Sequence, residues 1–478
     1  MSEIKKISKD IKEIKNGNTF EWTIEFPEML DESGDFIGFD LIIGNPPYIQ
    51  LQKDGGKLAD LYNDRYQVLD RNGDIYCLFY EQGIKILKTK GYLAYITSNK
   101  WLRATYGKIL REYLISKNPL LLIDLGPNVF EGANVDTNIL IVQNDDNKNE
   151  FIGIKTNKDT LNSDYINNKT VSLQVDDKNI WFIGNEEEYK LKNKIESKGV
   201  PLKELLKEWG GNIYFGIKTG LNEAFIIDTE KKEEILNNCE SEEERQATEL
   251  LIKPVLRGRD INKYSYKWAD RWVIGIFPAL NLDIENYPAI KKYFINNFDK
   301  RQLEQSGKKY TEFGFNARKK TDNKWFEIQD SISYYTEFEK EKVVWSDISL
   351  RPNFTMLPKN LYFNNTVYMI SGENKKLKYI NGVLNSKITE WYFPIIASGL
   401  GEKSCRYFKI FIEELPIRKA SEEERKPIIE LVDKILKIKA ENPDANTKDL
   451  EKDIDSLVYK LYDLKQNEID LVENFDVQ

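Results

Sequence analysis

From Phe39 to Gln143 the chain alternates short apolar runs with stretches whose apolar residues recur three and four positions apart. That rhythm limits the available folds more than any other feature. Phe39-Asp40-Leu41-Ile42-Ile43-Gly44 reads as a buried parallel strand ending in a loop. Tyr76 to Leu87 has helical spacing, which Gly91 stops. Tyr92 to Thr97 is strand-like, Ile109 to Leu114 helical, and Leu120 to Leu125 a strand again; Asn138 to Gln143 makes a last strand before a polar loop at 144–149. Elements in that order build βαβ units, so residues 1–150 are expected to form an α/β unit around a parallel sheet.

Past residue 150 the rhythm is lost, and residues 151–204 read as a connecting segment. From 421 onward helical spacing returns, and residues 421–478 are expected to form a helical C-terminal segment interrupted at Asn442-Pro443-Asp444. A chain of 478 residues needs two or three separate cores. Histidine is absent, which removes every mechanism built on a histidine base, a Ser-His dyad or a histidine-liganded metal. The three cysteines, Cys77, Cys239 and Cys405, never form a C-x-x-C pair, so no metal site is expected and a reducing cytosol fits. No run approaches the length of a membrane span, so the expectation is a soluble, cytoplasmic protein. The net charge is -8, yet residues 251–420 hold 29 Lys and Arg against 19 Asp and Glu. One region is therefore basic enough to meet phosphate.

Asn45-Pro46-Pro47-Tyr48 directly follows the first strand and resembles the signature of the N6-adenine DNA methyltransferase family, a resemblance that implies the following chemistry. An exocyclic amine on adenine is a poor nucleophile because its lone pair is delocalised into the ring. If the Asn45 side-chain oxygen and the Pro46 carbonyl each accept an amine hydrogen, the nitrogen becomes tetrahedral and aims its lone pair at a methyl donor. Two consecutive prolines fix φ and donate no N–H, which keeps the carbonyls rigidly presented. Tyr48 supplies a ring on which an extruded base can stack.

Gly73-Asp74-Ile75-Tyr76 and Gly91 to Trp101 resemble the elements that follow this motif in that family. The resemblance implies a partial Rossmann-like methyltransferase sheet, S-adenosylmethionine as cofactor, Asn45, Pro46, Pro47 and Tyr48 as catalytic residues, and a flipped adenine as substrate. Asn128 to Thr137 resembles the loop that closes the other face of the base, with Phe130 as the stacking candidate. The family's glycine-rich cofactor loop precedes this motif, and no Asp/Glu-x-x-x-Gly-x-Gly pattern lies before Asn45. Asp124-Leu125-Gly126-Pro127 and Ser398-Gly399-Leu400-Gly401 are poor substitutes for it. A separate chain carrying the cofactor-binding half or the nuclease is therefore an expected partner, and a truncated remnant is the alternative.

Residues 205–420 resemble the α+β DNA target-recognition domain of type IIG restriction–modification enzymes, through Phe215 to Phe225, Ile252 to Ile261 and Leu415-Pro416-Ile417. The resemblance implies double-stranded DNA as partner, with Lys218, Thr219, Arg257 and Arg259 suited to phosphate or guanine. Two rivals stand beside site-specific DNA adenine methylation. One is a methyltransferase acting on a protein glutamine or on RNA; the other is a non-catalytic DNA-binding specificity component.

Overall fold

Strand β1 (Phe39–Gly44) runs parallel to β2 (Leu87–Ser98), with Gly44 opposite Tyr95. The computed structural model describes residues 20–130, 135–173, 181–397 and 405–475. The helix Tyr76–Lys85 connects the two strands and buries Tyr76, Leu78, Tyr80 and Ile84. It lies on β2 at glycine distance, since a Cβ on Gly83 would stand 2.7 Å from Leu93 Cδ1 and Tyr95 Oη. Gly91 does not end this helix. It sits inside β2 beside a bulge, where Leu41 pairs with Tyr92 and Phe39 with Leu87, and a Cβ there would meet the Phe39 carbonyl oxygen at 2.9 Å.

Four further strands complete the sheet: β3 (Asn118–Gly126), β4 (Thr137–Gln143), β5 (Ile152–Lys155) and β6 (Val171–Ser172), in the order β1-β2-β4-β3-β5-β6. The sheet is mixed, not parallel as expected. Strand β4 follows β3 after a short loop, too short for a crossover helix, so it returns antiparallel and inserts between β2 and β3. The reading of β1 as buried also needs correction. It is an edge strand among the described residues, with Leu41 55% and Ile43 74% exposed. An apolar run announces that a strand wants covering, and the described residues cover only one edge of it. Because β5 and β6 join this sheet, the first compact unit reaches Glu186 and takes in most of the expected connecting segment.

The second unit begins at Glu187. One four-stranded sheet orders Thr355–Leu357, Lys342–Ser346, Val367–Ser371 and Asn212–Phe215; another orders Tyr362–Phe363, Ile252–Leu256, Arg271–Ile274 and Ile226–Asp228. Both contribute to one apolar core that includes Ile217, Phe225, Leu256, Phe294, Phe363 and Met369. The two ends of the region meet where Val200 and Pro201 pair with Ile417 and Pro416. The helices Glu422–Glu441 and Lys448–Leu461 belong to this unit and pack on the helix Asn374–Leu384. No helix among the described residues is long and apolar enough to cross a membrane.

Candidate functional site

Strands β1, β2 and β3 all point the same way, and β4 starts where they end. The loops after Gly44, Ser98 and Gly126 therefore leave one end of the sheet, the end at which open α/β sheets place their ligands. Asn45-Pro46-Pro47-Tyr48 is the first of these loops. Asn45 is exposed, and no hydrogen bond among the described residues engages its amide. Pro46, next to it, is buried, while the Asn45 side chain is open to solvent.

The segment after the prolines is tied down by the helix start at Gly73-Asp74-Ile75-Tyr76. Ile49 N–H donates to Asp74 Oδ1 at 2.6 Å, Ile75 N–H to the Ile49 carbonyl at 2.9 Å, and Leu51 N–H to the Gly73 carbonyl at 3.0 Å. Burial raises the Asp74 carboxyl above its ordinary range, partly offset by the N–H groups of Ile49 and Ile75. The Tyr48 ring meets Tyr76 edge-on at 5.8 Å, and Tyr76 shares a 2.7 Å hydroxyl contact with Tyr106. Burial, and then the Asp74 charge, push the Tyr48 phenol up to about 12, and its buried hydroxyl has no hydrogen-bond partner. At ordinary pH Tyr48 is thus a neutral ring held by its surroundings.

The neighbouring loop is braced in the same manner. Asn99 donates to Asp124 Oδ1 at 2.9 Å, and Arg103 reaches the other carboxylate oxygen at 3.5 Å. Asp124-Leu125-Gly126 is therefore part of β3 and of this brace. Phe130 lies half-buried in the loop after β3, at the same sheet end as Tyr48; residues 131–134 of that loop lie outside the described residues, as does Ser398-Gly399-Leu400-Gly401. Sequence reasoning quoted Asp74 without giving it a role. Its position just before a helix was the available signal, because Asp in that place commonly accepts backbone N–H groups.

In the second unit the four expected DNA contacts divide. Lys218 and Arg259 are exposed. Thr219 is a correction: it is 1% exposed, and its hydroxyl donates to Asn222 Oδ1 at 2.7 Å, so that side chain is spent inside the fold. Arg257 is half-buried and forked onto Asp260 through Nε and Nη2 at 2.9 and 2.8 Å, where it closes the turn Gly258–Asp260.

Residues 1–130 match the model of the Eco57I restriction-modification methylase, and residues 253–417 match that of the TaqI-like C-terminal specificity domain. The chain is thus similar to the Eco57I methylase over its first 130 residues and to the TaqI-like specificity domain over residues 253–417. Among relatives, it is 20% identical to the Type II methyltransferase M.BstVI of Geobacillus stearothermophilus over 95% of this chain and 79% of that protein. It is 24% identical to the Type II restriction enzyme and methyltransferase RM.Eco57I of Escherichia coli over 75% of this chain, but spans only 38% of that protein. The Type IIL restriction-modification enzyme MmeI, solved in complex with DNA, shares the fold at a TM-score of 0.58 and 14% identity, over 95% of this chain and 58% of that one. Both relatives are named as Type II methyltransferases, RM.Eco57I also as a restriction enzyme. The Asn-Pro-Pro-Tyr loop and β1 both fall within the residues that match the methylase model, and Arg257 and Arg259 within those that match the specificity-domain model.

Proposed function

We propose that this chain methylates adenine N6 at a specific sequence in double-stranded DNA, and that it does so once a further segment covers β1. The observation that carries the reading is the Asn45 amide, exposed and unengaged beside a rigid, buried Pro46. In this arrangement the Asn45 Oδ1 and the Pro46 carbonyl take the two amine hydrogens. Tyr48 lies against the base from one side, and Phe130 closes the other. Positioning does the work, with no prior deprotonation. Asp74 holds the loop in register through Ile49. The specificity domain favours DNA over a protein glutamine or RNA, with Lys218 and Arg259 free to meet the duplex.

The methyl donor is S-adenosylmethionine, which supplies an electrophilic methyl on a sulfonium. The described residues complete only the amine-holding face of such a site. Among the described residues, no glycine-rich cradle lies on the outer side of β1, where Leu41 and Ile43 stand uncovered. The same open edge favours a second reading, in which the chain contributes DNA specificity alone.

Labelled methyl transfer into plasmid DNA separates these, with the chain supplied together with the N-terminal part of a relative such as M.BstVI. Label is expected in N6-methyladenine, and Asn45→Ala is expected to lower it about 100-fold or more while duplex binding is kept. Label in cytosine or protein, or an unchanged rate in Asn45→Ala, overturns the adenine reading. DNA binding with no label under any supplementation supports the specificity-only reading.

A further inference from the structure

The strands Lys309–Tyr310 and Phe315–Asn316 form a hairpin whose turn is closed by Gly314 in the left-handed region. The pairing continues outward, with Ala317 N–H donating to the Lys308 carbonyl and Gly307 N–H to the Arg318 carbonyl, both at 2.9 Å. Lys308, Lys309, Lys319 and Lys320 are all exposed on this one element, and none forms an ion pair with a described residue. Glu312 is its only acid. Charges on an ordinary solvated surface are interspersed in sign, so four exposed lysines on one hairpin are a concentrated positive site.

The tip is apolar. Phe313 is 53% exposed, yet the Arg301 guanidinium lies 3.9 Å from its ring centre, with the rings of Tyr310 and Phe315 on the same guanidinium at 5.6 and 5.7 Å. Arg301 is itself fixed by Asp299, through Nε and Nη2 at 3.0 and 2.6 Å. One ring face is thereby braced while the residue stays open to solvent, and a pre-ordered aromatic sacrifices little entropy on binding.

The base of the hairpin is anchored to the loop that carries Lys218. Arg318 is buried and donates to the carbonyls of Leu303, Thr219, Glu327 and Trp325 at 2.8, 2.9, 2.8 and 2.6 Å. Gly220 permits this closeness, with φ at +79° and space for a Cβ closed off by Gln329 Oε1 at 2.5 Å. The Arg318–Thr219 bond thus sets the base of the hairpin beside the Lys218 loop, with the Asp330 carboxyl in electrostatic reach of both Lys218 and Lys319.

We propose that the hairpin at 308–320 is a duplex-DNA contact, with Lys308, Lys309, Lys319 and Lys320 on phosphates and the Phe313 ring entering the groove between them. This rests on the DNA-binding reading and adds residues to it. Each phosphate contact releases counterions, whereas ring insertion does not, so salt dependence separates the two components.

The test measures the affinity of the full chain for a labelled mixed-sequence duplex across a salt series. Replacing all four lysines with glutamine is expected to reduce the slope of log affinity against log salt by about 3 to 4. Phe313→Ala is expected to weaken binding about five-fold or more with the slope unchanged. A control variant neutralises four exposed lysines of the C-terminal helices, Lys434, Lys437, Lys452 and Lys460, and is expected to keep the wild-type slope. The hairpin assignment is overturned if the wild type binds but the hairpin variants match it, or if the control loses as much slope. If the wild-type chain binds no duplex at any salt concentration, the DNA-binding reading itself fails.

Discussion

A polar side chain is available for chemistry only where the fold has not already used its hydrogen bonds. Asn45 has none, whereas Thr219 and Arg257 are committed to Asn222 and Asp260. Residue type and spacing treat these three alike, because a motif records which groups are present and not which partners they find. Lys342 shows the committed state at its extreme. It is fully buried at the start of a central strand, and its ammonium donates to the carbonyls of Phe338, Lys340 and Pro358 at 2.7, 2.9 and 3.1 Å. Lys342→Met keeps the stem and orphans three carbonyls, and should cost about 3 kcal/mol in a urea titration. An unchanged urea midpoint would mean that water takes over those carbonyls and that the cation contributes nothing.

At the level of elements, the helices of the tail and the strand before Asn45 were readable because local periodicity and capping specify them. Ser421 and Glu424 form a reciprocal cap on the helix that ends at Glu441, and its buried Ile428, Val432 and Ile435 keep helical spacing. Direction was not readable for β4, since it depends on the length of a loop and on which neighbour has a free edge. Close helix packing was equally hidden. Gly382 receives the tail helix so tightly that an added Cβ would stand 2.7 Å from Ile428 Cγ2 and 3.2 Å from Val432 Cγ2. Gly382→Ala should therefore destabilise the second unit by about 1 to 3 kcal/mol, despite alanine's better helix propensity. A thermal midpoint at or above wild type would show that the two helices can slide apart without cost.

Across the whole molecule, buried carboxyls make stability depend on pH, and Asp455 is raised to about 6. Asp455 accepts the Lys387 N–H at 2.8 Å, and burial pushes it up to about 6; that N–H and Lys263 oppose the shift, and Glu473 adds to it. Between pH 4 and 6 the folded chain then holds a proton that the unfolded chain releases. Stability from this group is present at low pH and is lost as pH rises through 6, by at most about 3 kcal/mol. Asp455→Asn keeps the acceptor and removes the titration. Its urea midpoint should fall less than that of the wild type between pH 4.5 and 7, and parallel profiles would exclude Asp455 as the source. The order of strands and helices from Phe39 to Gln143, the Asn-Pro-Pro-Tyr loop after β1 and the basic excess of residues 251–420 were set by the sequence alone, because short-range pattern and composition suffice for them. The exposure of Asn45, the open edge of β1, the burial of Thr219 and the gathering of Lys218 with the 308–320 hairpin were decided only by tertiary structure. Each depends on which distant segments compete for the same hydrogen bonds and the same apolar faces, and linear spacing does not encode that competition.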